Sequence, residues 1–375
     1  MVSRYRRGGS RAALTHPHRL ESLCYQANND LSDEHPRILI VKLSSFGDVL
    51  HALPTLEALR TAFPTAHLTW LVEAAYAPLL QDHPALDEVW PAPRLRPGAI
   101  IRGGNPGLLA GLVRRLRSSP FDLVIDLQGL LKSAVWVALA RSRRKLGYDR
   151  SREGSYRVLT ERVAPYDREA HAVLRYLNLA HHLGAPVQPP RFRLGLGAEV
   201  EVGHLLPGKA RGGLVVLHPG ARWPSKLWPA AAWAQLGDWL SREHGLRVAL
   251  TGSAAEQRLA ADILAQMREP ALSLAGRTTL PELAAVLRRA RLLVTTDTGA
   301  MHLAAALETP VAALFGPTAP WRTGPFGAGH QIVRLGLECS PCFQRRCPKP
   351  RCLTDLIPEM AEAACEKILS SAEIN

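Results

Sequence analysis

Long apolar runs are missing from this chain: no stretch approaches the roughly 18 apolar residues that a membrane-spanning helix needs. The first 36 residues are basic at Arg4, Arg6, Arg7 and Arg11 but lack the apolar centre of a secretory leader. A protein that stays in the cytoplasm is the expectation. Aromatic residues are scarce at 6%, yet 47% hydrophobic and 21% charged residues exclude the low-hydrophobicity composition of disordered chains. Paired cysteines of the secreted-scaffold kind are absent too. Of six, Cys24 and Cys365 stand alone while Cys339, Cys342, Cys347 and Cys352 cluster near the end, a pattern that points away from structural disulfides. There is no H-E-x-x-H, no G-x-S-x-G and no repeat of solenoid length.

What is present is enough chain for two cores, since one core stops growing near about 250–300 residues and this chain has 375. Its formal charge of +13 is unevenly placed, with fourteen Lys or Arg against four Asp or Glu from Arg94 to Arg157. Such a stretch attracts an acidic partner, whether nucleic acid, phosphorylated lipid head groups or a sugar diphosphate, or else is a solvated Arg-rich surface.

Residues 1–36 show no periodicity and read as a flexible basic extension. Arg37–Leu43 is then a continuous apolar strand of the kind buried in a parallel sheet, followed by a turn at Ser44–Gly47 and a helix from Asp48 to about Phe63. Further strands are predicted at His67–Glu73 and Phe121–Leu127, with a helix at Leu108–Arg117. The prolines in 184–190 predict a linker. Beyond it, strands at Leu214–His218, Arg247–Thr251, Leu292–Thr296 and Pro310–Phe315 alternate with helices at Ala230–His244, Glu256–Met267, Leu280–Arg288 and Ala300–Leu307. The predicted organisation is a first doubly wound α/β domain over 37–187, a second over 188–354 with a cysteine-rich tail, and a C-terminal helix over 355–375.

Ligands of parallel α/β sheets bind beyond the carboxyl ends of strands, and the polar motifs fall there. In Lys42-Leu-Ser-Ser-Phe-Gly-Asp-Val-Leu-His51, Asp48 is either a general base or a helix cap, and Ser45 and Gly47 form a tight, phosphate-cradle-like turn. In His218–Pro229, Lys226 can meet a phosphate, with His218 or Ser225 adding hydrogen bonds, while Trp223 and Trp228 read as packing residues. Ser253 and Glu256 have capping-box spacing, though a glutamate there could bind ribose hydroxyls. Thr295–His302 ends a strand and opens a helix; Thr298 and Gly299 leave N–H groups free for a diphosphate, and Asp297 would orient the loop or meet a sugar. Asp126, Gln128 and Lys132, at another strand end, could hold an acceptor, or Asp126 could be a turn residue.

No Asp-x-Asp pair is present to hold a divalent ion against a sugar diphosphate, so a metal-free site built from Lys226 and helix N–H groups is expected. The four clustered cysteines suit a structural zinc or an iron–sulfur cluster, or are unligated and redox-sensitive; nothing ties them to catalysis.

Lys42–His51, His218–Pro229, Thr251–Glu256 and Thr295–His302, in this order and spacing, resemble glycosyltransferase family 9, the lipopolysaccharide heptosyltransferases, over about residues 37–370. The first of these segments is most similar to heptosyltransferase I. The resemblance implies a GT-B fold, two Rossmann-like domains facing across a cleft. It implies inverting transfer of L-glycero-D-manno-heptose from ADP-heptose to the Kdo and inner-core region of lipopolysaccharide, with no cofactor required. It makes Asp48 the general base and places Ser225, Lys226, Glu256, Asp297, Thr298, Gly299 and His302 at the donor. Ser45, Gly47, Asp126, Gln128 and Lys132 fall to the acceptor. A Kdo–lipid A acceptor gives the basic stretch a reason and implies peripheral contact with the anionic inner face of the bacterial inner membrane, not nucleic acid. A family 9 transferase with another sugar donor or acceptor in surface-polysaccharide synthesis is the alternative, followed by a non-catalytic GT-B binding protein.

Overall fold

The computed structural model describes residues 34–94, 106–196, 200–206 and 213–372. Most of the 1–36 extension and part of the basic stretch therefore lie outside the described residues. The first half holds β1 (Arg37–Val41), β2 (His67–Glu73), β3 (Glu88–Ala92), β4 (Pro120–Asp126), β5 (Arg141–Tyr148) and β6 (Glu161–Val163). The second holds β7 (Leu214–His218), β8 (Arg247–Leu250), β9 (Ala271–Ser273), β10 (Ala290–Thr296), β11 (Val311–Leu314) and β12 (Gln331–Val333). Their orders, β3-β2-β1-β4-β5-β6 and β12-β11-β10-β7-β8-β9, are the same doubly wound topology twice. The paired strands run parallel throughout.

In each sheet the order reverses beside its first strand, β1 against β4 and β7 against β10, which is where such sheets open a crevice for ligands. The central strands β1 and β7 are apolar on both faces because helices cover both, and Ile38 to Val41 are wholly buried. The helix expected over Asp48–Phe63 is two helices, Phe46–His51 and Leu53–Ala62. Pro54 sits in the first turn of the second, where its missing N–H costs nothing, whereas a continuous helix would need that N–H.

The two halves share a core. One apolar cluster runs from Ile38, Leu68 and Leu123 through Leu196, Val202 and Leu205 to Leu293, Met301 and Phe315. Residues 187–196 between the halves contain no helix or strand. The C-terminal helix Pro358–Ala372 lies on the second sheet, where Ala361, Cys365, Ile368 and Leu369 join Trp228, Trp233 and Val294.

Two glycines bring the halves together at the strand ends. The helix Phe46–His51 packs against the helix Gly299–Ala306. A Cβ on Gly47 would lie 2.3 Å from His302 Cδ2, and one on Gly299 would lie 2.4 Å from Phe46 Cδ1. Ordinary carbon contacts need about 3.5 Å, so Gly47→Ala must push the His302 ring back by roughly 1 Å. We expect it to fold with a modest loss of Tm and to lower kcat by about 10²-fold, the cost of misplacing groups by an ångström. Wild-type kcat in this variant would contradict such close packing.

Candidate active site

A cleft of about 940 Å³ opens between the carboxyl ends of the two sheets. Ser45, Gly47 and Asp48 line it from the first half, and Lys226, Glu256, Asp297, Thr298, Gly299 and His302 from the second. A smaller cavity of about 240 Å³ shares Asp48 and reaches into the first half past Asp126 and Gln128.

Asp48 is held from both oxygens. Ser45 donates to Oδ2 through its backbone N–H at 3.1 Å and its hydroxyl at 2.7 Å, and the Tyr176 hydroxyl donates to Oδ1 at 3.1 Å. Tyr176 in turn accepts from Lys42 Nζ at 2.7 Å. Burial alone would raise the carboxyl's pKa; the Lys42 charge and these hydrogen bonds outweigh it and leave it below the ordinary carboxylate value. Burial pushes Lys42 down to about 8 against the pull of Asp48 and Asp126. Asp48 is thus an ionised carboxylate at the crevice mouth, and Oδ1, with one donor where Oδ2 has two, keeps a lone pair for a further donor. The cap and base readings of this residue are compatible.

Lys226 faces it across the cleft. Its Nζ lies 2.6 Å from Asp297 Oδ2 and 3.2 Å from the Asp297 carbonyl, and 4.5 Å from the centre of the Trp223 ring. Thr318 donates to the same carboxylate oxygen at 2.7 Å. Asp297 therefore holds the lysine in place. Thr298 begins the helix Gly299–Ala306 in extended conformation with no side-chain cap, which leaves the first-turn N–H groups for a ligand. Glu256 Oε2 accepts from Ser253 N–H at 2.6 Å and its hydroxyl at 2.8 Å, the expected capping box. The tryptophans divide: Trp228 is buried and donates to the Leu356 carbonyl at 2.8 Å, while Trp223 lines the cleft.

Two expected contacts need correction. Ser225 is buried with its hydroxyl donating to the Gln344 carbonyl at 2.7 Å, and it does not line the cleft. Lys132 is drawn to Glu73 at 2.9 Å and to the Ser44 hydroxyl, so it braces the loop after β1. Asp126 accepts from the N–H groups of Gln128 at 2.9 Å and Gly129 at 3.0 Å, the turn alternative, and Gln128 Oε1 accepts from Leu43 and Ser44 N–H at 3.1 and 3.0 Å, while both residues still line the smaller cavity. The four-cysteine cluster also departs from a metal centre. Burial and, after it, the other three thiols push the Cys352 pKa up, and among the described residues no three His, Cys, Asp or Glu form a ligand set.

Residues with no motif complete the smaller cavity: Tyr148, Arg152, Tyr166, Arg175, Tyr176 and, from the second half, Arg322. Arg175 and Tyr176 sit on the helix Ala172–His182, about 130 residues from Asp48 in sequence. For the arginines the signal is the excess of basic residues, which does not say which side chains turn inward, and the tyrosines carry none.

The family model described as Glycosyltransferase family 9 (heptosyltransferase) matches residues 109–352. The chain belongs to that family. It is 35% identical to Lipopolysaccharide heptosyltransferase 1 of Pseudomonas aeruginosa over 90% of this chain and 99% of that protein. With the protein of the same name from Escherichia coli K12 it shares 32% identity over 80% of this chain and 94% of that one. In structure the enzyme is similar to E. coli heptosyltransferase WaaC with ADP, with a TM-score of 0.70 and 28% identity over 88% of this chain and 99% of that one. The fold is GT-B and the protein is a glycosyltransferase, as the resemblance implied.

Buried histidines predict that this transferase loses stability in acid. The unfolded chain protonates histidine near pH 6.5. Burial pushes His171 down to about 4 and His51 well below its ordinary value, and lowers His302 although Asp297 and Asp48 oppose the shift. Unfolding therefore takes up protons below about pH 6.5, by up to about 1.4 kcal/mol per pH unit for each. Their stabilisation is complete above that pH and is lost as pH falls towards about 4. We expect Tm to drop across this window and His171→Gln to flatten the slope; a pH-independent Tm would contradict it.

Proposed function

We propose that the enzyme moves L-glycero-D-manno-heptose from ADP-heptose to the Kdo and inner-core region of lipopolysaccharide, with inversion. The observation that carries this reading is the opposition, in one cleft, of an ionised carboxylate at the end of β1 and a lysine beside an open helix N-terminus at the end of β10. In the reaction the acceptor oxygen attacks the anomeric carbon and its proton passes to Asp48, while the bond to ADP breaks and the electron pair leaves with the diphosphate. Charge grows on that leaving group, so Lys226 and the N–H groups at Gly299 stabilise the transition state more than the ground state. Asp297 positions Lys226, and Glu256 and His302 line the donor side. The first half, over 37–187, takes the acceptor, and the second, over 188–354, takes the donor.

Arg152, Arg175 and Arg322 around the smaller cavity suit an acceptor that carries a carboxylate or phosphate. The basic first half, with Arg114 and Arg117 exposed on the helix Pro106–Ser118, then meets the anionic inner face of the bacterial inner membrane. Among the described residues no helix is long and apolar enough to cross it. Turnover with ADP-heptose and Kdo–lipid A tests the reaction: ADP release dependent on both is expected. Release with a different sugar nucleotide, and none with ADP-heptose, would replace the donor. Binding to anionic liposomes should fall as salt rises, and salt-independent binding would remove the membrane contact.

A further inference from the structure

A histidine pair joins the halves beside the cleft. His51 ends the helix that carries Asp48, and His302 lies one turn into the helix that starts at Gly299. His51 Nε2 and His302 Nδ1 are 3.0 Å apart, with both residues buried. One proton must lie between them, and two arrangements supply it. If His302 Nδ1–H donates, neutral His51 carries its remaining proton on Nδ1, and His302 Nε2 is bare. If His51 Nε2–H donates, His51 Nδ1 is bare and His302 carries its proton on Nε2.

The surroundings choose between them. His51 Nδ1 is buried and has no hydrogen-bond partner among the described residues. The neighbouring imidazole of His171, 5.3 Å from His51 between ring centres, cannot help. Its Nδ1 accepts from Val173 N–H at 3.3 Å and its Nε2 donates to the Gly324 carbonyl at 3.1 Å, which occupies both nitrogens. A buried orphan N–H is rarer in proteins than an under-used acceptor, so the proton belongs on His51 Nε2. His302 must then be the Nε2–H tautomer. That edge lies against Gly47, and His302 lines the cleft.

We propose that His51 is a positioning residue: it fixes the tautomer and ring orientation of His302, so that neutral His302 presents Nε2–H to a hydroxyl of the donor sugar between Asp48 and Asp297. The pair also ties the helix that carries the base to the helix that receives the diphosphate. This deepens the function proposed above and rests on it for the identity of the ligand. Burial lowers the pKa of both rings, which keeps them neutral near physiological pH. Were both rings protonated, the two facing nitrogens would each carry a proton and the bond between them would be lost.

The test uses the full chain labelled with ¹⁵N-histidine, with His302 assigned by the signal that His302→Gln removes. Near neutral pH the wild type is expected to show His302 protonated on Nε2; protonation on Nδ1 overturns the proposal, whatever the enzyme transfers. In turnover assays His51→Leu, which removes the donor, is expected to lower kcat by about 10–100-fold, the usual effect of losing a group that orients a working histidine, with little change in ADP affinity. His51→Gln keeps an N–H near the Nε2 position and is expected to restore kcat to within a few-fold of wild type. Equal losses in both variants, or loss of ADP affinity in step with kcat, would reduce His51 to packing and overturn the proposal. If the leucine variant does not fold, the glutamine variant and the wild-type tautomer decide. A wild type that folds but turns over no ADP-heptose sinks the functional reading and leaves the tautomer measurement standing.

Discussion

Asp48→Asn is expected to fold, to bind ADP as the wild type does, and to lose about 10²–10⁴-fold in kcat, the range associated with general-base assistance. The substitution keeps the side chain's shape and one acceptor oxygen, so either the Ser45 or the Tyr176 contact survives. It removes the charge that Lys42 faces and the carboxylate proposed to take the acceptor's proton. Lys42, pushed down to about 8 by burial with Asp48 pulling the other way, should shed its proton more readily in the variant. Residual activity should therefore change with pH differently from the wild type. Two results would count against Asp48 as the base: a kcat within a few-fold of wild type, or a loss of ADP affinity that accounts for the whole effect.

Much of this site was legible because its chemistry sits at the ends of strands that are apolar along their whole length. β1, β2 and β7 are covered on both faces, so their residues need no polar alternation and stand out from their surroundings. The strands that escaped the sequence are those at the margins. β3, β6, β9 and β12 are the four sheet edges. Three of them are three residues long, and β3 contains Pro91, which an edge tolerates and a sheet centre does not. β5 begins Arg-Ser-Arg-Arg-Lys, with Arg141 and Arg143 exposed before it enters the core at Leu146, so its start reads as a charged surface. The same limit applies to the cleft. Asp48, Lys226 and Asp297 lie in local patterns with a chemical rationale, whereas Arg175 and Tyr176 reach it only because the helix Ala172–His182 packs on the two helices that follow β1, and Arg152 arrives on a separate turn, Arg152–Val158. Spacing along the chain carries no trace of that neighbourhood. Ser225 failed for the opposite reason: its position in a phosphate-like loop was right, but a buried hydroxyl needs a partner, and the Gln344 carbonyl supplies one.

Lys226→Met should reduce kcat/KM by about 10²–10³-fold, the cost of removing one preorganised group aimed at developing charge. It should also weaken ADP binding, unlike the change at Asp48. Two effects add here. The diphosphate loses its cation, and Asp297, 9% exposed, keeps its charge with Thr318 as its close side-chain donor among the described residues. An unpaired carboxylate beside the phosphates repels them, so the single variant overstates what the lysine contributes. Lys226→Met combined with Asp297→Asn separates the two. If Asp297 serves mainly to hold the lysine, the double variant should bind ADP better than Lys226→Met alone while its kcat stays low, because the cation is still missing when the bond to the leaving group breaks. Full recovery of kcat in the double variant would place the charge stabilisation elsewhere, and the N–H groups opened by Thr298 at the start of the following helix would then carry it.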